Sequence, residues 1–186
     1  IVDKFLSMRG DADLIVIGDQ SVLTNSTTGS QSGVVRRLPL DIEDKELKAA
    51  VQRLLRLRTI RLESGIVGRS LAVNQMISII AQAAPLDVSI IILGESGTGK
   101  ELVANSIHKQ SRRSDKPFIS LNCGAVSEGL LESELFGHQR GAFTGAVANH
   151  EGVFARANGG TLFLDEVAEM SLAMQTRFLR ALETGE

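Results

Sequence analysis

The 186-residue chain holds 20 basic and 22 acidic side chains, a formal charge of −2, which leaves no overall electrostatic bias toward nucleic acid or an anionic membrane. Its single cysteine, Cys123, excludes an internal disulfide, and His108, His138 and His150 are too scattered to suggest a metal cluster, a pattern that fits a reducing cytoplasm. No apolar run approaches the ~18 to 20 residues that span a bilayer, and no charged segment followed by an apolar one opens the chain.

Residues 13–19, DLIVIGD, form a short continuous apolar run closed by Gly and Asp, as in a strand buried on both faces of a parallel sheet. Residues 25–33 are loop. Residues 34–41 offer a second short strand ending at Pro39, followed by a helix with Ile42, Leu47, Val51, Leu54, Leu55 and Arg58 at roughly helical spacing. The arginines between Arg53 and Arg61 read as a solvated helix face in preference to a nucleic-acid contact. This order of strand, loop, strand and helix resembles the last third of a bacterial receiver domain, a flavodoxin-like fold in which a Lys-Pro pair ends the final strand. Here the pair is Leu38-Pro39, so the resemblance implies a degenerate receiver-like part and linker helix over residues 1–62 and gives no argument for phosphorylation.

Residues 63–70, ESGIVGRS, are a glycine-punctuated connection, and Ser70 is placed to cap a helix with Val73, Met76, Ile77, Ile80 and Ala84 on its apolar face, ending before Pro85. An apolar strand over residues 90–93 then leads directly into Gly94, Glu95, Ser96, Gly97, Thr98, Gly99, Lys100 and Glu101, and a helix with Leu102, Val103 and Ile107. A loop of this kind turns backbone N–H groups toward phosphate oxygens at a helix N-terminus, while Lys100 adds a full positive charge. Glycines permit the close approach. Glu101 stands where Ser or Thr normally offers a hydroxyl to Mg²⁺, and taken alone this weakens the case for hydrolysis.

Downstream, an apolar strand over residues 162–164 delivers Asp165 and Glu166 at its C-terminal end, where open α/β sheets bind ligands. An isolated Asp-Glu pair there would simply cap the next helix. Beside a phosphate loop, Asp165 becomes a candidate for Mg²⁺ and Glu166 for orienting and deprotonating an attacking water. The intervening strand PFISLNC ends at Asn122, an amide that is either an ordinary turn residue or a group that holds Glu166 away from the water.

Between these strands, helical spacing at Leu130, Leu131 and Leu135 breaks into Gly137, Gly141 and Gly145, the mark of an inserted loop. It contains Gly141, Ala142, Phe143, Thr144, Gly145 and Ala146; read by itself, Phe143 folds back to close the loop. The segments GESGTGKE, LNCGA, ESELFGHQRGAFTGA and ANGGTLFLDE, in this order and spacing, resemble the AAA+ domain of bacterial enhancer-binding proteins of the NtrC type, which activate sigma-54 RNA polymerase. The likeness covers residues 66–186, and GAFTGA is close to unique to that family. It implies a P-loop AAA+ three-layer α/β/α sandwich, of which residues 63–186 are the N-terminal part.

By the same resemblance, Lys100 binds ATP phosphate, Asp165 the Mg²⁺, Glu166 activates water, Asn122 is the glutamate switch, and Ile66 and Val67 lie by the adenine. The family pattern also accounts for Glu101 and makes residues 141–146 the sigma-54 contact. It implies a homo-oligomeric ring, a hexamer in the family, and promoter or enhancer DNA bound through a C-terminal domain not present here. The chain starts without Met and stops at a helical pattern, QTRFLRALETGE, so a fragment cut at both ends is expected, with little turnover of its own. Two other readings remain at this stage: an AAA+ remodelling ATPase with a different client, and a non-catalytic nucleotide-binding regulator.

Overall fold

The computed structural model describes residues 14–18, 35–68, 70–142 and 147–184. The chain divides into two compact units, Ile1–Asp87 and Val88–Glu186.

In the first unit, β1 (Leu14–Ile17) and β2 (Val35–Leu38) pair in parallel, Leu14 opposite Val35 through Ile17 opposite Leu38. The Gly18 N–H extends the ladder to the Leu38 carbonyl at 3.1 Å, and Pro39, which has no N–H to donate, follows the last paired residue. Helix α1 (Asp44–Ser64) starts with Asp44 and Glu46 in its first turn, where the helix dipole favours negative charge, and stops at Gly65, whose φ of 68° a side chain would resist. Helix α2 (Leu71–Ala83) begins as expected, with the Ser70 hydroxyl accepting from the Val73 N–H at 3.3 Å, and buries Ile77 and Ile80.

Of the residues noted in α1 for their helical spacing, Leu54 is buried, and the rest of the buried face comes from other positions. Ala50, Leu54, Leu57, Ile60 and Ser64 are buried, whereas Val51, Leu55 and Leu62 are exposed, and Ile42 precedes the helix. The helix carries two apolar stripes roughly one residue apart, and spacing alone does not choose between them. Packing chooses the stripe that contains Ala50 and Ser64. Ser64 satisfies itself locally, its hydroxyl donating to the Arg61 carbonyl and accepting from the Ile66 N–H, both at 3.1 Å.

In the second unit, β3 (Phe118–Asn122) and β4 (Thr161–Asp165) pair in parallel, Phe118 opposite Thr161 through Asn122 opposite Asp165. Helix α3 (Lys100–Lys109) precedes them. The crossover holds α4 (Glu128–Phe136) and a single turn, α5 (Val153–Arg156), that the spacing of apolar residues did not announce. After β4 come a 3₁₀ turn (Val167–Glu169) and α6 (Leu172–Thr184). Cys123, Leu131, Leu135, Val153, Met170 and Met174 make one core cluster, drawn from the crossover and from the segment after β4. Gly160 lies against the Pro117 carbonyl, which accepts from the Thr161 N–H at 2.9 Å, leaving no room for a Cβ.

The strand expected over residues 90–93 is not formed. The segment has no ladder partner among the described residues, and Ile91 and Leu93 are 85% and 89% exposed. An apolar run becomes a strand only when a neighbour pairs with its N–H and C=O groups, and among the described residues β3 and β4 pair with each other and neither pairs with residues 90–93.

Candidate functional site

The loop over residues 94–99 is shaped by its glycines. Gly97 and Gly99 have φ of 76° and 87°, in the left-handed region, and Gly99 is the cap from which α3 starts. At Gly94 a Cβ would come 2.8 Å from the Thr98 hydroxyl oxygen, which is fixed by its own 2.8 Å hydrogen bond to the Glu95 carbonyl. The Lys100 ammonium, on the first residue of α3, donates back to the Gly94 and Glu95 carbonyls at 3.4 and 3.1 Å. It also lies 3.8 Å from Asp165 Oδ1. The side chains that the sequence singled out some sixty-five residues apart are therefore within one charge contact.

The register of β3 and β4 places Asn122 directly across from Asp165, and the ladder runs one residue further through the Cys123 N–H to the Asp165 carbonyl at 3.0 Å. Asn122 Oδ1 accepts from the Gly124 and Ala125 N–H groups at 2.8 and 3.0 Å, so the amide oxygen shapes the turn. Only its NH₂ remains to reach another group, and no hydrogen bond joins Asn122 to Glu166 among the described residues. Glu166 is the one described non-glycine residue with positive φ, 54°. Its Oε2 rests where a Cβ on Gly124 would come within 2.6 Å. Gly124 belongs to the LNCGA segment, but the sequence reading gives it no role in the site.

Both carboxylates are felt by Cys123, whose thiol is pushed up to about 11 by burial first and then by the charges of Asp165 and Glu166. A thiol so placed stays protonated and is no nucleophile near neutral pH.

Asp165 also accepts the Glu166 N–H at 3.0 Å through Oδ1. A single carboxylate beside a lysine suits a cation shared with phosphate oxygens and water. It does not make an all-protein cage, and no group of three or more His, Cys, Asp or Glu fit to hold a metal ion occurs among the described residues.

Ile66 and Val67 belong to the other unit. The Ile66 N–H is held by Ser64, the Gly68 carbonyl accepts from Arg61 Nη1 at 3.1 Å, and Val67 is 95% exposed. Of the hexapeptide, Gly141 (φ 84°) and Ala142 are exposed, while Phe143, Thr144, Gly145 and Ala146 lie outside the described residues. His138 and His150, scattered in sequence, face each other across the base of this loop as an antiparallel bridge. Their positions on either side of a glycine-rich insertion were the only signal available.

The family profile of the sigma-54 interaction domain matches residues 66–186. The DNA-binding transcriptional regulator NtrC of Azospirillum brasilense is 39% identical over 197 residues, covering 100% of this chain and 41% of the relative. The transcriptional regulatory protein ZraR of Escherichia coli K12 is 56% identical over 122 residues, 66% of this chain and 28% of the relative. Among solved structures, a crystal structure of NtrX from Brucella abortus has a TM-score of 0.58 at 31% identity, covering 97% of this chain and 41% of that one. A second structure of that NtrX, in complex with ATP, has a TM-score of 0.57 at 30% identity, covering 97% of this chain and 40% of that one. The chain spans less than half the length of these relatives.

Proposed function

The chain belongs to the sigma-54 interaction domain family, and from that premise we propose that it is the nucleotide-binding part of an ATP-dependent activator of sigma-54 RNA polymerase. The P-loop AAA+ α/β fold goes with that family. One observation carries the reading: Lys100, at the start of the phosphate-loop helix, meets Asp165 at 3.8 Å beside Glu166.

In this reading residues 94–101 cradle the phosphates of ATP and Lys100 neutralises the terminal one. Asp165 is the residue that would hold Mg²⁺, which supplies charge neutralisation across the phosphate oxygens when bound. Glu166 orients the attacking water and takes its proton. The Asn122 amide, already fixed through its oxygen, uses its NH₂ to restrain the Glu166 carboxylate until nucleotide and partner are in place. Ile66 and Val67 flank the adenine, and residues 141–146, with Phe143 and Thr144 foremost, touch sigma-54. The relatives are named as transcriptional regulators, which supports coupling of hydrolysis to promoter opening and promoter DNA bound by a further domain. A homo-oligomeric ring, six-membered as in the family, completes the proposal.

The test uses a protein of the relatives' full length. Isolated sigma-54 should shift on a native gel only with ADP plus aluminium fluoride, and Thr144→Ala should abolish the shift. Glu166→Gln should lower kcat by roughly 10² to 10⁴-fold while ATP still binds. Turnover without any sigma-54 complex would move the proposal to another client, and binding without turnover in the unsubstituted protein would leave only a nucleotide-binding regulator.

A further inference from the structure

Helix α3 and strand β4 touch along two matching rows of residues. On α3, Lys100, Ala104 and His108 follow one another at four-residue spacing, which puts them in one row of the helix surface, and Ala104 and His108 are buried. On β4, Thr161, Phe163 and Asp165 alternate onto one side of the strand. The rows are nearly equal in length. From Lys100 to His108 the helix rises about 12 Å, and from Thr161 to Asp165 the strand spans about 13 Å. Their ends are joined. At the site Lys100 Nζ lies 3.8 Å from Asp165 Oδ1, and at the far end His108 Nδ1 lies 2.9 Å from the Thr161 hydroxyl.

The far tie is built into its surroundings. Burial holds the His108 imidazole below its ordinary value, so the ring is neutral near pH 7, and it also hydrogen-bonds the Lys116 carbonyl. A neutral ring has one N–H to give and a carbonyl can only accept it, which leaves Nδ1 to take the Thr161 hydroxyl proton. The Phe118 ring covers the imidazole, with centroids 5.3 Å apart. The Ser111 hydroxyl closes the end of α3, donating to the His108 carbonyl at 2.7 Å and accepting from the Arg113 N–H at 3.2 Å. Arg113 Nη1 in turn donates to the Gly160 carbonyl at 3.1 Å, next to Thr161.

We propose that His108 is a positioning residue for the candidate ATPase site: its bond to Thr161 fixes α3 along β4 and so sets the spacing of Lys100 and Asp165 once phosphate has drawn the ammonium away from the carboxylate. The tie at the site is lost in that exchange, because both of its partners are the groups that phosphate and Mg²⁺ would claim. The far tie touches neither and persists. A helix is stiff along its axis, so a slide at His108 moves Lys100 equally, and a misplacement of about 1 Å costs on the order of 10²-fold in rate. The inference rests on the reading of residues 94–101 as a phosphate loop.

The test measures ATP affinity with and without Mg²⁺, together with kcat, in a protein of the relatives' full length. Thr161→Val removes the hydroxyl and keeps the shape and strand preference of the side chain. Affinity without Mg²⁺ draws on the phosphate loop and Lys100, all at the start of α3, and should stay within about twofold of the unsubstituted value. The tightening by Mg²⁺ should fall by about half or more, and kcat by about tenfold or more, because both need Asp165 in register. Two amides at His108 separate positioning from stability. An Asn carries its amide where Nδ1 sits and reaches Thr161, whereas a Gln extends toward the Lys116 carbonyl. His108→Asn should hold kcat within about threefold, while His108→Gln should lower it as Thr161→Val does, with no further loss in the double variant. A purely structural role would instead make kcat follow the urea midpoint whichever amide is present. Unchanged kcat and Mg²⁺ dependence in Thr161→Val, or equal losses of kcat in the Asn and Gln variants, overturn the proposal. If the unsubstituted protein binds no ATP, the phosphate-loop reading has failed and takes the proposal with it; intact binding and turnover that ignore Thr161→Val overturn the proposal alone.

Discussion

Cys123 shows how closely a single side chain reports the charge of this site. It is 3% exposed, it sits one residue after Asn122, and its thiol is pushed up to about 11 by burial and then by Asp165 and Glu166. Both causes act against the reactive thiolate. An aromatic disulfide reagent should therefore label Cys123 at pH 7.5 at least tenfold more slowly in the folded chain than in 6 M guanidinium, which absorbance of the released thiol would read. Comparable rates would mean that the thiol is neither buried nor beside two carboxylates. The same neighbourhood explains what was legible at this scale. Lys100, Asp165 and Glu166 are chemically conspicuous residues in conspicuous settings. Gly124 is not, because its contribution is a missing atom: only the resting place of the Glu166 carboxylate, within 2.6 Å of the absent Cβ, gives it a role.

His108 joins two elements, the phosphate-loop helix α3 and the strand that carries Asp165. Its Nδ1 lies 2.9 Å from the Thr161 hydroxyl and its ring centroid 5.3 Å from that of Phe118. Burial lowers its pKa from the ordinary 6.5, and Arg113 and Lys109 push the same way against the Lys116 carbonyl and Asp115. The unfolded chain thus takes up a proton at a higher pH than the folded one. Stability is fully present above 6.5 and is lost as pH falls from there through the lower folded value. Urea midpoints should drop between about pH 7.5 and pH 5, and His108→Gln, which keeps a hydrogen-bonding end without the titration, should flatten that slope. Elements were legible where an end signal agreed with a period. Ser70 and the spacing of Ile77 and Ile80 fix α2 without ambiguity. In α1 the period was legible but the buried face was not, because two apolar stripes compete, Leu54 lies on the buried one, and only the packing of Ala50 and Ser64 decides between them. Residues 90–93 read as a strand, but a ladder is a property of two segments and not of one.

For the molecule as a whole, the decisive feature is that each unit has its own interior. Ile60, Ile77 and Ile80 are each 1% exposed in the first unit, while Leu135, fully buried, centres the core of the second. The sequence reading divides the chain between residues 62 and 63, whereas the compact units divide between Asp87 and Val88, because the interiors depend on which helix faces pack and α2 packs in the first unit. Residues that share no core partner contribute nearly additively, and opening follows contiguous units. Ile60→Ala deletes buried methyl and methylene groups and should cost about 2 to 5 kcal/mol in the first unit, with Leu135→Ala costing a similar ~2 to 5 kcal/mol in the second. Hydrogen exchange separates the effects. Ile60→Ala should speed exchange in the 77–80 stretch and leave the β3 amides, 118–122, at their original rates; Leu135→Ala should do the reverse. If either substitution loosened both regions equally, the two interiors would be one cooperative unit, and the division of the chain near Asp87 would have no energetic meaning.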